Sequence, residues 1–254
     1  LSGSIENEDI SDLRLTVCVS TQVGCPIGCV FCATGQQGFT RNLTANEIVQ
    51  QVALVGSDFD KRVDNVVFMG QGEPFLNYDA VIDAMRRLNK DSGLNIGARH
   101  ITVSTSGIIN CIERLSEEPE QFRLAISLHS AVQRTRDVIM PNMRKHPLSA
   151  LKAALKNYGQ NKARRITLEY LLLDGINDSD QELEALINFC KGLKVHVNLL
   201  PYNSTDGSYF EASPQYIVST WLNTLENSGI PTSYRRSKGS DIAGACGQLA
   251  NKVN

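Results

Sequence analysis

The stretch RITLEYLLLDGINDSDQELEALINFCKGLKVHVNLLP, residues 165–201, contains one complete strand–helix–strand pattern. Two apolar, β-rich runs, at 165–173 and 194–201, flank an amphipathic helical pattern over 180–193. Continuous apolar runs are typical of strands that are covered on both faces, and a helix between two of them is typical of a parallel sheet. The stretch therefore predicts a β–α–β unit.

The same alternation extends along most of the chain. Further strand-like runs lie at 15–20, 64–70, 100–105, 122–129 and, as a short last one, 232–236. Helical patterns lie between them, at 44–55, 78–90, 107–116, 147–159 and 213–229. About six repeats of strand and helix indicate a parallel sheet with right-handed crossovers. We expect a partial or full α/β barrel, with a doubly wound sheet as the second choice.

Two helix starts carry capping signals. Thr44 with Glu47 fits a capping box, in which each residue hydrogen-bonds the backbone of the other. Ser213 followed by Pro214 predicts an N-cap serine with proline at the first helical position.

Composition bounds the class of protein. The chain has 254 residues, of which 42% are hydrophobic, enough for a substantial core. The net charge of -2 gives no global basic signal for nucleic acid, although it is compatible with a local basic patch. No apolar run approaches the roughly 18 residues of a membrane span, and no signal peptide is evident. We expect a cytoplasmic protein with no membrane association.

Cysteines are concentrated near the start of the chain. Cys25, Cys29 and Cys32 form a CxxxCxxC pattern, and Cys18 lies seven residues before it. An odd total of seven makes a disulfide framework improbable and favours metal binding or catalysis. A structural zinc site would need a distant fourth ligand such as His129 or Cys246. Three thiolates would instead leave one iron of a 4Fe–4S cluster open to substrate.

Polar residues follow several of the predicted strands. In a barrel, functional side chains collect at the carboxyl ends of the strands, so these residues predict an active face. They are Gly72, Glu73, Ser104, His129, Glu169, Asn198 and Asn203.

Two motifs resemble those of the radical S-adenosylmethionine (SAM) superfamily. CPIGCVFC, at 25–32, resembles its cluster loop, and GQGEPFLN, at 70–77, resembles its GGEP element. Cys18, GEP (72–74), STSG (104–107), ISLHS (126–130), LPYN (200–203) and DIAGACGQL (241–249) then occur in the order found in one group of that superfamily. From about residue 13 to its end, the chain is similar to the RNA adenine methyltransferases of the RlmN and Cfr group.

The resemblance implies a fold and two cofactors. It implies a partial (β/α)6-type radical SAM barrel with a 4Fe–4S cluster on Cys25, Cys29 and Cys32. It further implies that each turnover uses two SAM molecules. The residues expected to contact SAM are Gly72, Glu73, Ser104, Ser127, Leu128, His129 and Asn203.

The resemblance also implies catalytic roles. Cys246 would carry the methyl group, and a second SAM would generate a radical on that S-methyl carbon. Cys18 would then attack the Cys246 sulfur and release the RNA, leaving a Cys18–Cys246 disulfide. Glu6 is the candidate base for the proton of the adduct, with Glu8 as its rival.

The implied substrate is an adenosine of 23S rRNA, and of tRNA as well. QQGFTRNL, at 36–43, favours methylation of carbon 2 over carbon 8. A different radical SAM reaction on a non-RNA substrate, or a binding module without catalysis, remains an alternative. A reducing donor such as flavodoxin and a monomeric state are expected.

The expected domain organisation is simple. Residues 1–17 form an N-terminal extension, and 18–254 form the barrel with a C-terminal loop that carries the methyl-bearing cysteine. Family members usually have an extra N-terminal RNA-gripping domain, which we expect to be missing here. The basic pairs Arg86–Arg87 and Arg164–Arg165 are expected at the surface, and YRRSKG, at 234–239, is expected near RNA phosphates.

Overall fold

The computed structural model describes residues 14–162, 164–205, 207–235 and 244–250. Within these ranges the strands are β1 (Thr16–Cys18), β2 (Gln22–Gly24), β3 (Phe39–Asn42), β4 (Asn65–Phe68), β5 (Ile101–Thr105), β6 (Arg123–Ser127), β7 (Ile166–Leu172), β8 (Val195–Pro201) and β9 (Thr232–Tyr234). Seven of them form a curled parallel sheet in the order β1-β4-β5-β6-β7-β8-β9, while β2 and β3 form an antiparallel pair.

This strand order confirms the predicted partial radical SAM barrel. Each strand added along the chain lies at the growing edge of the sheet, so the sheet curls in one direction. A doubly wound sheet would reverse its strand order at a switch point, and this sheet does not. The second choice is therefore wrong.

Helices cover the outer face of the sheet. They are α1 (Ala33–Gln36), α2 (Ala45–Asp58), α3 (Tyr78–Asn89), α4 (Ile109–Glu117), α5 (Gln133–Ile139), α6 (Leu148–Lys162), α7 (Asp180–Cys190) and α8 (Gln215–Asn227). Six of them match the helical patterns of the sequence, whereas α1 and α5 were not predicted. None of the helices in the described part of the chain combines the length and apolar character that a bilayer crossing requires.

The two capping predictions differ in outcome. The backbone N–H of Glu47 donates to the Thr44 hydroxyl at 3.2 Å, and Thr44 N–H donates to the Glu47 carboxylate at 2.8 Å, so the capping box is confirmed. The Ser213 cap is wrong, because α8 begins at Gln215 and Pro214 occupies the cap position. The Ser213 hydroxyl donates to the buried carboxylate of Asp178 instead, at 2.7 Å.

The core lies between the sheet and the helices. Strand residues such as Val66, Val103 and Val197 are fully buried, as the continuous apolar runs predict. Cys111 on α4 and Cys190 on α7 are buried in the same core.

The β2–β3 hairpin encloses the cysteine loop. Gly24, at the end of β2, has a φ of 77°, and a Cβ atom there would lie 2.0 Å from the carbonyl oxygen of Gly38. Only glycine can occupy that position without moving the backbone. The hairpin therefore fixes both ends of the segment that carries Cys25, Cys29 and Cys32.

Candidate active site

The three cysteines of the CxxxCxxC pattern lie between β2 and α1. The backbone N–H of Cys32 donates to the carbonyl of Cys29 at 3.2 Å, which tightens the loop. A Cβ atom on Gly35, in α1, would lie 2.8 Å from the backbone of Cys29, so this glycine lets the helix pack against the loop. All three cysteines are partly buried and unbridged, and all three line one cavity.

The donor set fits a cluster better than a single ion. Among the described residues, no three His, Cys, Asp or Glu side chains converge as a single metal ion requires. A cubane spreads its ligands over separate corners and is held by thiolates. Burial raises the pKa of Cys25 to about 12 and also raises that of Cys29. Cluster binding must therefore displace protons from these thiols.

Glu73 is buried between β4 and the turn that precedes α3. Its two carboxylate oxygens accept hydrogen bonds from the backbone N–H of Phe75 at 3.0 Å and from both the N–H and the hydroxyl of Ser106 at 2.7 Å. Burial raises the pKa of Glu73 despite these donors. The preceding Gly72 has a φ of 102° and packs against Gln22, so the turn holds the carboxylate in a fixed place.

A row of polar side chains crosses the carboxyl half of the sheet. Ser127, Glu169, Asn198 and Ser233 are paired in register on four neighbouring strands. Asn198 donates to the Glu169 carboxylate at 2.8 Å, and Ser233 donates to the Asn198 amide oxygen at 3.1 Å. Ser104 on β5 extends the row, with its hydroxyl oxygen 3.4 Å from that of Ser127. Burial raises the pKa of Glu169 to about 7.

His129 follows β6 in a strained left-handed conformation, with a φ of 57°. Its Nδ1 atom accepts a hydrogen bond from the backbone N–H of Leu171 at 3.0 Å. Burial and the nearby Arg136 lower the pKa of His129 to about 3, so the ring is neutral and its proton lies on Nε2. Asn177 donates to the carbonyls of His129 and Leu171, at 2.6 and 2.7 Å, and holds this conformation.

The loop that carries Cys246 lies over α1, the short helix that follows the cysteine loop. Ala33 N–H donates to the carbonyl of Gly247 at 2.8 Å, and Asn203 donates to the carbonyl of Cys246 at 3.0 Å. The Thr34 hydroxyl makes a further contact with the carbonyl of Leu249. These bonds come from two separate elements, so they place Cys246 on the wall of the cavity that the cluster cysteines line.

Cys18 ends β1 close to Cys246. Cys18 is exposed, but protein atoms crowd its thiol, and this desolvation raises the pKa of Cys18 to about 11. The neighbouring Cys246 contributes to the rise, while Arg235 lowers the pKa of both thiols. Both thiols are free.

The cavity has an empty volume of about 1020 Å³ and opens to solvent. Nine of the predicted site residues line it: Cys25, Cys29, Cys32, Gly72, Glu73, Ser104, Ser127, His129 and Cys246. Three do not: Leu128, whose side chain is fully buried in the core, Asn203, which holds the Cys246 loop, and Cys18. Glu6 lies outside the described residues, as does most of the basic run 234–239.

Sequence reasoning missed two residues and gave a third no role. Asn177 and Arg136 are fully buried next to the cavity, but both lie in polar segments that were not part of a strand-end pattern. Glu169 was noted at a strand end, without a function. Apolar Ile139 and Met140 soon after Arg136 were a signal that one face of this segment is buried.

Comparison with known proteins agrees with this geometry. The model of the radical SAM superfamily matches residues 19–190. The fold also matches that of SuiB from Streptococcus suis, solved with S-adenosylmethionine, with a TM-score of 0.63 over 89% of this chain and 51% of SuiB at 13% identity. The chain is thus a member of the radical SAM superfamily, whose cofactors are a 4Fe–4S cluster and SAM.

Closer relatives narrow the family. Probable dual-specificity RNA methyltransferases RlmN from Thermosynechococcus vestitus and Pseudothermotoga lettingae are both 47% identical, over 93% and 92% of this chain and 69% and 68% of their own lengths. A radical SAM methyltransferase from Sphaerobacter thermophilus, known from a crystal structure, is 46% identical with a TM-score of 0.90, over 93% of this chain and 70% of that one. Within the superfamily, the chain belongs to the RlmN family of RNA methyltransferases.

Proposed function

We propose that this chain methylates carbon 2 of an adenosine in RNA and that Cys246 carries the methyl group. Membership of a family of SAM-dependent RNA methyltransferases supports RNA as the substrate. The observation that carries the proposal is the position of Cys246 on the wall of the cluster cavity, close enough to Cys18 to raise the pKa of that thiol. A radical SAM enzyme that only abstracts hydrogen from its substrate needs neither thiol.

The chemistry of adenine explains a methyl-carrying thiol. Carbon 2 is electron-poor and cannot attack a sulfonium methyl group as a nucleophile, whereas a carbon radical can add to it. When bound, the cluster and SAM supply a 5′-deoxyadenosyl radical by one-electron reductive cleavage. The protein must therefore hold a methyl group within reach of that radical and of the base.

Cys246 would perform this task in two stages. Its thiolate would attack the methyl carbon of a first SAM, with S-adenosylhomocysteine as the leaving group, and the resulting S-methyl group would then lose a hydrogen atom to the 5′-deoxyadenosyl radical from a second SAM, which leaves as 5′-deoxyadenosine. Addition to carbon 2 would leave an RNA radical covalently attached to Cys246, and this adduct would give up one electron, for which the oxidised cluster is the acceptor, before Cys18 acts. Both thiols have raised pKa values, and Arg235 is the cation that opposes this rise and favours their thiolates.

Cys18 would resolve the adduct. Its thiolate would attack the Cys246 sulfur, and the carbon–sulfur bond would break with its electron pair going to the methylene carbon. That carbon would take up a proton and become the methyl group of the released RNA. The products are methylated RNA and a Cys18–Cys246 disulfide, which two electrons reduce before the next turnover. A base must first remove the carbon-2 proton of the adduct, and Glu6 remains our prediction for it.

Several residues would hold SAM. Glu73 offers a fixed carboxylate for its amino group, next to Gly72, and the hydroxyls of Ser104 and Ser127 offer hydrogen bonds. His129 offers a neutral Nε2–H donor. The side chain of Leu128 is buried, so any contact with SAM is through its backbone, and Asn203 would act from the Cys246 loop.

The proposal extends to partners and organisation. We propose 23S rRNA and tRNA as substrates, in line with the dual specificity in the relatives' names, and a flavodoxin-type protein as electron donor. We propose a monomer in the cytoplasm, where these RNAs reside. Residues 18–254 would form the catalytic domain and 1–17 an extension.

The test is nucleoside analysis of treated RNA. Anaerobically reconstituted protein is incubated with SAM, a reductant and a 23S rRNA fragment, and the digested RNA is analysed by mass spectrometry against standards. We expect 2-methyladenosine with the wild type and none with Cys246→Ala, which should still cleave SAM. 8-Methyladenosine would move the reaction to the alternative carbon, and SAM cleavage without RNA methylation would favour a non-RNA substrate.

A further inference from the structure

Arg136, on α5, is a fully buried arginine that the proposed chemistry does not use. Its Nε atom donates to the carbonyl of Leu128 at 3.2 Å, and its Nη2 atom donates to the carbonyl of Ser106 at 2.5 Å. Its Nη1 atom is buried and has no hydrogen-bond partner among the described residues. The Nε and Nη2 atoms of the guanidinium group therefore have hydrogen-bond acceptors, and Nη1 has none among the described residues.

This side chain lies where three parts of the active site meet. Ser106, whose carbonyl it binds, also hydrogen-bonds the Glu73 carboxylate. Leu128 precedes the strained His129. On the same helix, the carbonyl of Ile139 accepts a hydrogen bond from Val30, within the cluster loop, at 3.1 Å. Arg136 therefore stands directly behind the cluster loop and the predicted SAM contacts.

The charge of Arg136 lacks an adequate counter-charge in the protein alone. Burial lowers the pKa of Arg136 to about 10, which still leaves it positive at neutral pH. The anionic groups that act on it are Cys29, Asp137 and Glu73. The Glu73 carboxylate accepts its hydrogen bonds from Phe75 and Ser106, and the Asp137 carboxylate accepts one from Gln133. No carboxylate of the described residues hydrogen-bonds the guanidinium group, and its Nη1 atom has no partner there. A buried cation without a strong partner destabilises the fold, because its lost hydration is not replaced.

We propose that Arg136 is the buried counter-charge of the iron–sulfur cluster. A cubane held by three thiolates is net anionic, and it gains a further negative charge on one-electron reduction. A fixed cation behind Cys29 stabilises the loaded loop, and it stabilises the reduced form more than the oxidised form. Arg136 is thus a positioning residue that makes the cluster easier to reduce. This inference rests on the cofactor alone and not on which base is methylated.

Three variants separate charge from hydrogen bonding. Arg136→Gln keeps an amide donor and removes the charge, whereas Arg136→Lys keeps the charge and loses the planar pair of donors. Arg114→Gln is the matched control, because Arg114 is an exposed arginine of α4 paired with Asp79. It changes the net charge equally, away from the cluster.

The first measurement is an anaerobic redox titration of the reconstituted proteins, together with iron per chain. We expect a more negative midpoint potential and lower iron content for Arg136→Gln. Arg136→Lys should stay near the wild type, and Arg114→Gln should match it. Equal decreases in midpoint potential and iron content in the Gln and Lys variants would mean that Arg136 acts only by bridging two carbonyls. That result would overturn the proposal, and so would an unchanged midpoint potential in Arg136→Gln.

The second measurement compares thermal unfolding before and after cluster reconstitution. A counter-charge predicts that the gain in Tm on loading is smaller in Arg136→Gln than in the wild type, whatever the change in the apo-protein. Equal gains would contradict it, and so would a failure of both Arg136 variants to fold as apo-proteins. Neither measurement uses RNA, so a wild type that methylates no RNA would refute the proposed function and leave this result standing.

Discussion

The two edges of the same parallel sheet differ sharply. At the amino edge, where the strands begin, lie cations that are exposed to solvent, among them Arg99, Arg123 and Lys194. At the carboxyl edge lie buried polar groups that hydrogen-bond one another, such as Glu73 with Ser106 and Asn198 with Glu169. The edges share strands and core, so the contrast arises from the side chains alone.

The comparison shows at which edge the polar side chains lose their hydration when the protein folds. Exposed cations at the amino edge keep their water and cost little. Buried polar groups at the carboxyl edge keep hydrogen bonds but lose water, which raises the pKa of Glu169 and lowers that of His129. Such a concentration of desolvated groups is typical of an active site. Variants at the two edges should therefore differ in effect.

The largest expected effect follows removal of one cluster thiol. Cys29→Ser should abolish cluster binding and reductive SAM cleavage, because a cubane with an open iron has only three protein ligands here. Iron content and visible absorbance after anaerobic reconstitution measure it. Cys190→Ala, a buried cysteine in the core, is the control and should keep its iron while losing about 1 kcal/mol of stability. Full iron content in Cys29→Ser would contradict the assignment of this loop as the cluster-binding loop.

A large loss of stability is expected at Asn177, which joins His129 to the end of β7. Asn177→Ala leaves the buried carbonyls of His129 and Leu171 without their donor, so we expect a loss of about 3 kcal/mol. SAM affinity should fall as well, because His129 would relax from its strained conformation. Urea unfolding and SAM titration measure the two effects. Asn188→Ala, on the exposed face of α7, should change neither.

Glu169 predicts a pH effect on stability. Its folded pKa of about 7 is raised above the ordinary value of 4.5, so the folded state holds the proton more tightly than the unfolded state. That contribution is complete below about pH 4.5 and is lost as the pH rises through about 7. Glu169→Gln should therefore gain stability relative to the wild type between about pH 5 and pH 9, by up to about 3 kcal/mol.

Urea unfolding at the two pH values measures this gain. Glu184→Gln, an exposed residue of α7, controls for the loss of one carboxyl group from the surface. A parallel pH response of the Glu169 variant and the wild type would show that the carboxyl is solvated and not part of a desolvated edge.

The smallest effect is expected at the amino edge. Arg165→Gln removes an exposed cation just before β7, so we expect a change in stability within about 0.5 kcal/mol and no change in SAM affinity. A loss comparable to that of Asn177→Ala would mean that the amino edge is also part of the functional architecture, and the contrast between the edges would fail.

The fold was largely predictable because its signals are local. Continuous apolar runs such as 165–173 mark strands buried on both faces, and the amphipathic patterns between them mark helices. The β2–β3 hairpin escaped prediction because β3, FTRN, is exposed along its whole length and has no hydrophobic pattern. Helix α5 escaped because five of its seven residues are polar or charged.

The site was predictable only where residues form motifs in the chain. The cysteine loop, GEP and the Cys246 loop were identified by resemblance, and the cavity brings most of them together. Arg136 and Asn177 act through tertiary contacts with carbonyls distant in sequence, and no local pattern reports such contacts. The Ser213 cap failed for the same reason, since Asp178, 35 residues away, takes its hydroxyl.

The most direct test of the central claim is the fate of the RNA in Cys18→Ala. This variant keeps Cys246 but lacks the thiol that would break the adduct, so single-turnover reaction with SAM, reductant and RNA should leave RNA bound covalently to the protein. Protease and nuclease digestion should map the link to Cys246, and Cys111→Ala should release its product normally. Release of methylated RNA by Cys18→Ala, with no adduct on Cys246, would contradict the account.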